Sequence, residues 1–360
     1  MIAILDQNLK KVEINTFDVG DNQVITKQTH IVSLENISRC SIEIAKKLKT
    51  SEAVCIRLRF GGDLFDKPLI VDSQFITKYE SLISSYPFYI PITLQLLKLL
   101  VVELGSIPLY AWFETSIFTK LPEEERIYAL PNQLQSAGSP RRFGCHGIYH
   151  AWNAQQMPNL TTVLSIVMDK QTTVSVLRNG KPRTISMGYT PLEGIMSRTS
   201  CGDMDPGIVF HLMRVSGESF FKIDEVLKKN SGFIGLTGID AEIDELFKQV
   251  NSDHAIAQAF ELYESQIIRH CGEAVAVSGE PQAIVFSGKY TSALTPLIFR
   301  ILKKFTFLGL SLKPVPWANT STHLNIVTEG NSNIIAAISM FSLPETLYQL
   351  FDSYLKRKRV

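Results

Sequence analysis

The sequence predicts an α/β protein of two domains, each a mixed β-sheet flanked by helices. Two alternating apolar runs open the chain, and a similar pair opens its second half. After each pair, helix-spaced and strand-like segments follow one another. The 360 residues suffice to bury two cores.

Ile2 to Leu5 and Val12 to Phe17 flank the polar link Asp6-Gln7-Asn8-Leu9-Lys10-Lys11, a hairpin pattern. Thr26 to Leu34 reads as a third strand. Ser41 to Leu48 reads as a helix with Ser41 as N-cap. Ala53 to Phe60 is strand-like and stops at Gly61-Gly62. Ile92 to Leu104 has helical spacing, and Leu109 to Phe113 is a strand. A second domain is expected to begin near Lys120. Thr162 to Met168 and Thr172 to Leu177 make the second hairpin, with Arg178-Asn179-Gly180 as a later turn. Gly207 to Val215 and Ile223 to Asn230 read as helices, the first started by Pro206. Ile239 to Val250 and His254 to Ala274 read as long amphipathic helices. Ala283 to Phe286 is a strand running into Ser287-Gly288. Ile326 to Val327, Ile334 to Met340 and Pro344 to Leu355 close the chain.

Composition narrows the class of function. Apolar residues make up 45% and charged residues 20%, as in ordinary soluble proteins. The net charge of +1, with no basic half, gives no reason to expect a nucleic-acid partner. The basic end Lys356 to Arg359 reads as a solvated terminus. Five scattered cysteines without a C-x-x-C pair argue against a disulfide framework and a structural zinc site. The most apolar stretch, Ile90 to Trp112, holds two prolines, Lys98 and Glu103, so it reads as helix and strand rather than a membrane span. No basic-then-apolar export pattern opens the chain, and a reducing cytoplasm is the expectation.

One stretch is neither a tight turn nor a core helix. Ser186 to Pro206 reads S-M-G-Y-T-P-L-E-G-I-M-S-R-T-S-C-G-D-M-D-P. Its glycines allow close backbone approach, and its hydroxyls with Arg198 could hold an anion. It resembles the signature loop of the acetate kinase family, S-M-G-x-T-P-L-E-G followed by G-T-R-x-G-D-x-D-P. The resemblance continues through Phe113 to Thr115 (F-E-T), Tyr128 to Pro131 (Y-A-L-P), Arg141 to Gly147 (R-R-F-G-C-H-G) and Ser231 to Gly238 (S-G-F-I-G-L-T-G).

That resemblance implies the two-domain fold of acetate and sugar kinases, Hsp70 and actin. It implies direct in-line transfer of the γ-phosphoryl of ATP, with Mg²⁺, to acetate or another short carboxylic acid. It further implies a homodimer formed through the second domain, and a last helix that returns to the first. The expected domains are 1–118 with 335–360, and 119–334. Arg57, in I-R-L-R-F-G-G-D, matches an arginine used at the acyl phosphate, with Arg59 two residues on. Glu114 matches the catalytic aspartate of F-D-T. His146 matches the histidine that stabilises the transferring phosphoryl, and His150 a second one. Arg142, with Arg141, is expected as electrostatic support for the substrate, and Pro91 lies in the segment matching the acid pocket. Lys170, Gly288 and Lys289 fall at nucleotide positions, and Arg198 is the candidate charge clamp of the loop.

Departures from the pattern are concentrated. The first phosphate turn, N-x-G-S-S-S-L-K, reads Asp6-Gln7-Asn8-Leu9-Lys10. The second, H-L-G-N-G-S-S, reads Val167 to Thr173. The loop arginine falls on Ser200, the adenosine motif G-I-G-E-N on Gly288 to Ser292, and the late metal-site glutamate on Ser332 or Asn333. No metal ligand is assigned. Two expectations follow: a phosphotransferase acting on a carboxyl group, or a catalytically inactive paralogue that binds a metabolite or partner.

Overall fold

A computed structural model describes residues 1–20, 23–86, 89–131, 133, 140–312, 324–328, 334–339 and 342–359. Ser332 and Asn333 lie outside the described residues. The chain divides into two units: Met1–Thr119 with Leu130–Ser139 and Leu343–Val360, and Lys120–Ala129 with Pro140–Ser342.

The first unit starts with an antiparallel meander, β1 (Ile2–Gln7), β2 (Lys11–Gly20) and β3 (Gln23–Ser33). Helix α1 (Ile37–Lys47) then carries the chain to β4 (Ala53–Leu58), which pairs in parallel with β1. The edge strand β5 (Leu69–Ile70), α2 (Ser73–Glu80) and α3 (Ile90–Leu104) precede β6 (Leu109–Phe113), parallel to β4. The sheet order is β3-β2-β1-β4-β6-β5. Helix α1 begins earlier than the sequence suggested. Asn36, not Ser41, is its N-cap, accepting from the Arg39 amide at 2.9 Å. Ser41 sits inside the helix and returns its hydroxyl to the Ser38 carbonyl.

After a short α4 (Glu123–Arg126) and α5 (Gly147–Gln155), the second unit repeats this plan. Its meander is β7 (Thr162–Met168), β8 (Thr172–Arg178) and β9 (Lys181–Ile185). Asn179 and Gly180 form the β8–β9 turn, both with positive φ, as a tight hairpin turn of this kind requires. Four helices follow: α6 (Gly207–Ser216), α7 (Phe220–Lys229), α8 (Gly232–Thr237) and α9 (Ile243–Phe247). The long α10 (His254–Ser278) leads to β10 (Ala283–Ser287). Then come α11 (Thr295–Lys303), β11 (Leu324–Ile326) and β12 (Ile335–Ser339). The order β11-β12-β10-β7-β8-β9 matches the first sheet strand for strand. Each sheet is a meander, then two parallel strands, then an antiparallel edge.

Two expectations are corrected here. Residues 335–339 do not belong to the first unit, because β12 pairs in parallel with β10 from Ile335 to Ile338. The return is helix α12 (Leu343–Arg359) alone. It docks on the first sheet through Phe17–Tyr348 at 4.5 Å and Tyr110–Phe351 at 5.1 Å between ring centroids. The helix expected over 239–250 is only α9; Glu242 has extended backbone, and its carboxylate is held by Lys289 and Tyr290.

Alternation along the strands gives the second sheet two unlike faces. Leu164, Ile166, Met168, Val174 and Val176 join the apolar core with Phe260, Tyr263 and Ile267 of α10. The opposite face, under α5, carries the buried hydroxyls of Ser165, Thr173 and Ser287. Among the described residues no helix is long and apolar enough to cross a membrane.

Candidate functional site

In the first unit, β1, β4 and β6 run parallel, and their carboxyl ends bring three charged side chains together. Open α/β sheets bind ligands at such ends. The pairing of Asp6 with Arg57 in the β1–β4 register puts both on one face. Glu114 directly follows β6. Arg57 Nη2 donates to Asp6 Oδ1 at 2.6 Å, and Nη1 donates to Glu114 Oε1 at 2.8 Å. The side chain of Glu114 is fully buried, that of Arg57 is 11% exposed and that of Asp6 is 26% exposed. Burial alone would weaken the guanidinium's charge, but Asp6 and Glu114 outweigh it and raise its pKa well above the usual range. Arg57 Nε and Glu114 Oε2 are buried without hydrogen-bond partners. Buried polar groups are normally satisfied, so this cluster has unspent capacity.

The first turn is closed by its own side chain. Asn8 Oδ1 accepts from the amides of Lys10 at 2.8 Å and Lys11 at 3.0 Å. Those amides are spent on an Asx turn and do not offer themselves to an anion. Pro91 is exposed in the first turn of α3, where a missing amide proton costs nothing.

In the second unit, His146 precedes α5 with a left-handed backbone, φ 58. Non-glycine residues seldom adopt it. Its Nδ1 lies 3.0 Å from Thr173 Oγ1, and His150 Nε2 lies 2.9 Å from the same oxygen. Ser165 Oγ is 2.7 Å from His150 Nδ1 and accepts from Asn153 at 2.8 Å; Asn153 also donates to Ser287. Thr173 has one proton to donate, so at most one of the two rings can accept from it. The tautomers of the two histidines are therefore linked. Burial, then the neighbouring His146, hold the His150 pKa well below the ordinary value.

The β7–β8 turn is self-satisfied as well. Asp169 accepts from the Lys170 amide at 2.6 Å, and Lys170 stands exposed at the tip. Gln171 donates to the Pro191 carbonyl at 3.0 Å and to Ser200 Oγ at 3.2 Å. Arg198 pairs with Asp240. Lys289 pairs with Glu242. Gly288 has φ +109, and a Cβ there would lie 2.5 Å from the Met168 carbonyl oxygen, so its glycine serves strand packing.

The loop Ser186 to Pro206 is knit to its own unit. Arg142 bonds Glu193 at 2.8 Å and the Ile185 carbonyl at 3.0 Å. Glu193 also accepts from Tyr128, whose oxygen accepts from the Tyr189 amide. A Cβ on Gly188 would collide with both Glu193 and Tyr128. Asp205 accepts from the Gly207 amide at 2.7 Å in an Asx turn just ahead of α6, whose N-cap is Pro206.

A family model described as "Acetokinase family" matches residues 3–341. This chain belongs to the acetokinase family. It is 31% identical over 268 residues to an acetate kinase of Streptomyces coelicolor, a match spanning 72% of this chain and 66% of that protein. It is 29% identical over 322 residues to an acetate kinase of Streptomyces avermitilis, spanning 86% of this chain and 78% of the relative. The crystal structure of Porphyromonas gingivalis acetate kinase superposes with a TM-score of 0.88 at 20% identity, covering 98% of each chain. The fold is thus the two-unit acetate kinase, sugar kinase, Hsp70 and actin architecture expected from the sequence.

Within this acetokinase chain, Arg57 with Glu114, and His146 with His150, come together. Arg142, Arg198 and Lys289 are each held by carboxylates. Sequence reasoning missed Asp6 as the partner of Arg57, and Thr173 and Ser165 as the link between the histidines. A serine or threonine inside otherwise apolar β7 and β8 was the available signal.

The signature loop also carries a charge clamp. Asp203 accepts from the Gly194 amide and pairs with His270 of α10 at 3.0 Å, and Glu273 lies 3.5 Å from the other ring nitrogen. Burial opposes the imidazolium, but Asp203 and then Glu273 outweigh it and lift its pKa to about 9. A raised pKa stabilises the fold fully below the unfolded value near 6.5, and that contribution fades as pH rises through about 9. Replacing His270 by Gln should therefore cost about 1–2 kcal/mol near pH 6 and little near pH 10. Urea denaturation of both proteins across that range measures it; a pH-independent difference would contradict the clamp.

Proposed function

We propose that this chain is an acetate kinase-type phosphotransferase whose acceptor is the carboxyl group of a short organic acid. Acetate is the first candidate acid, and ATP with Mg²⁺ is the donor the family implies. The observation that carries the reading is Arg57 backed by the buried Glu114 at the carboxyl ends of three parallel strands. In-line phosphoryl transfer asks a protein for positive charge and orientation more than for covalent chemistry. Arg57 would hold the acid or phosphoryl oxygens, and Glu114 would fix Arg57 from the interior. His146, oriented through Thr173, is suited to donate to a phosphoryl oxygen.

The nucleotide and metal side fits less well. The turns that the resemblance assigns to phosphate spend amides on Asn8 and Asp169. Among the described residues no group of three or more His, Cys, Asp or Glu could hold a metal ion. The same two turns favour a second reading, a non-catalytic paralogue that binds a small metabolite.

A homodimer is the expected assembly. Most apolar residues of α9 and α10 are spent on the core of the second unit, with Leu262 and Val277 exposed. Helix α6 instead has no buried residue, Phe210 on it is 71% exposed, and Phe221 of α7 is 81% exposed. These faces are the ones we assign to the second copy.

Acyl phosphate trapped with hydroxylamine, from Mg-ATP and acetate or propionate, tests the activity. Turnover that falls by about 100-fold or more in Arg57→Ala supports the phosphotransferase. No product, together with no heat of Mg-ATP binding at millimolar nucleotide, sinks that reading and leaves the paralogue. Light scattering should give twice the 40.4 kDa chain mass, falling toward the monomer in Phe210→Ser. A native monomer would contradict the dimer.

A further inference from the structure

Arg57 is matched before any ligand arrives. A guanidinium can grip one oxyanion with two parallel N–H bonds. Here its two terminal nitrogens are divided between two carboxyl groups, at 2.6 Å for Asp6 and 2.8 Å for Glu114. The two partners differ in setting. Glu114 is fully buried and cannot leave without unpacking the end of β6, whereas Asp6 is 26% exposed at the end of β1. The buried partner is an anchor and the exposed one is replaceable.

The surroundings are those of an oxyanion site. Arg57 Nε is unspent. Arg59, just beyond β4, is exposed and forms no ion pair among the described residues. Tyr89 is 3% exposed, and Thr93, Arg59, Arg57 and Asp6 all bear on its buried phenol. Two guanidinium groups and a phenol suit a carboxylate or a phosphate, and of the two carboxylates on Arg57 only Asp6 is exposed to solvent.

We propose that Asp6 is a built-in competitor for Arg57 and sets the specificity of this site: a small oxyanion binds by displacing the Asp6 carboxylate. The native protein consequently binds such anions weakly, because an incoming anion must compete for Nη2, the nitrogen that Asp6 holds. This deepens the phosphotransferase reading and takes the class of ligand from it. Asp6 acts through Arg57 and is not itself a catalytic residue.

Calorimetric titration with inorganic phosphate, and separately with sodium acetate, tests this without nucleotide. Asp6→Asn removes the charge at constant shape and should bind at least one of the two anions about tenfold more tightly than the native chain. Adding Arg57→Gln to that variant should abolish the gain. A gain with phosphate alone assigns the phosphoryl subsite; a gain with acetate alone assigns the acid subsite. Asp6→Ser, equally neutral and smaller, is measured in parallel with the melting temperature of each variant. A purely structural Asp6 would give unchanged or weaker binding, and that result overturns the proposal. So does failure of both neutral variants to fold, since Asp6 would then be needed for the structure itself. The outcome is separable from the activity assay: a chain that transfers no phosphoryl can still show the gain, and an active chain can lack it.

Discussion

The ion pair between Arg57 and Glu114 is the constraint on which the candidate site depends. A guanidinium at the end of a sheet strand keeps one position only if something fixes it from the inside. Glu114 does so with no exposed surface of its own, and its neighbour Phe113 is locked among Phe65, Phe75 and Tyr79. Gly61 follows from the same packing, because a Cβ there would stand 2.6 Å from the Phe113 ring. The aromatic cluster, the glycine after β4 and the acidic residue after β6 thus serve one purpose. They hold a single positive charge at the carboxyl ends of parallel strands.

The second unit uses the same topology for a different kind of site. Its sheet repeats the first strand for strand, yet the face under α5 is polar and hydrogen-bonded through Thr173 and Ser165. The signature loop is preserved in a way that explains its sequence. Gly188 makes room for Glu193 and Tyr128, and a Cβ on Gly232 would lie 2.1 Å from the Ser197 carbonyl oxygen. Residues that knit the loop to its unit remain. Two positions that the resemblance gives to phosphate touch each other instead, Gln171 reaching Ser200 Oγ at 3.2 Å.

Much of the fold was legible because periodicity reports burial. The two hairpins, the apolar β6 and β10, and the long α10 all carry unambiguous patterns. Strand β9 was not, since K-P-R-T-I offers neither alternation nor an apolar run. Helix α5 was obscured because its buried residues mix the apolar Ile148, Tyr149 and Trp152 with the polar His150 and Asn153. The site was legible only residue by residue. Arg57, Glu114 and His146 stand out in motifs. The pairing of Arg57 with Asp6 depends on a strand register across 51 residues, and no local pattern encodes it.

The two partners of Arg57 are unlike in burial, and a pair of double-mutant cycles in urea denaturation measures that asymmetry directly. One cycle combines Arg57→Ala with Glu114→Gln, and the other combines Arg57→Ala with Asp6→Asn. The structure predicts a coupling of about 3–5 kcal/mol for the buried Glu114 pair. It predicts about 1 kcal/mol or less for the Asp6 pair. Equal couplings, or a larger one for Asp6, would contradict a site anchored from within and guarded at its mouth.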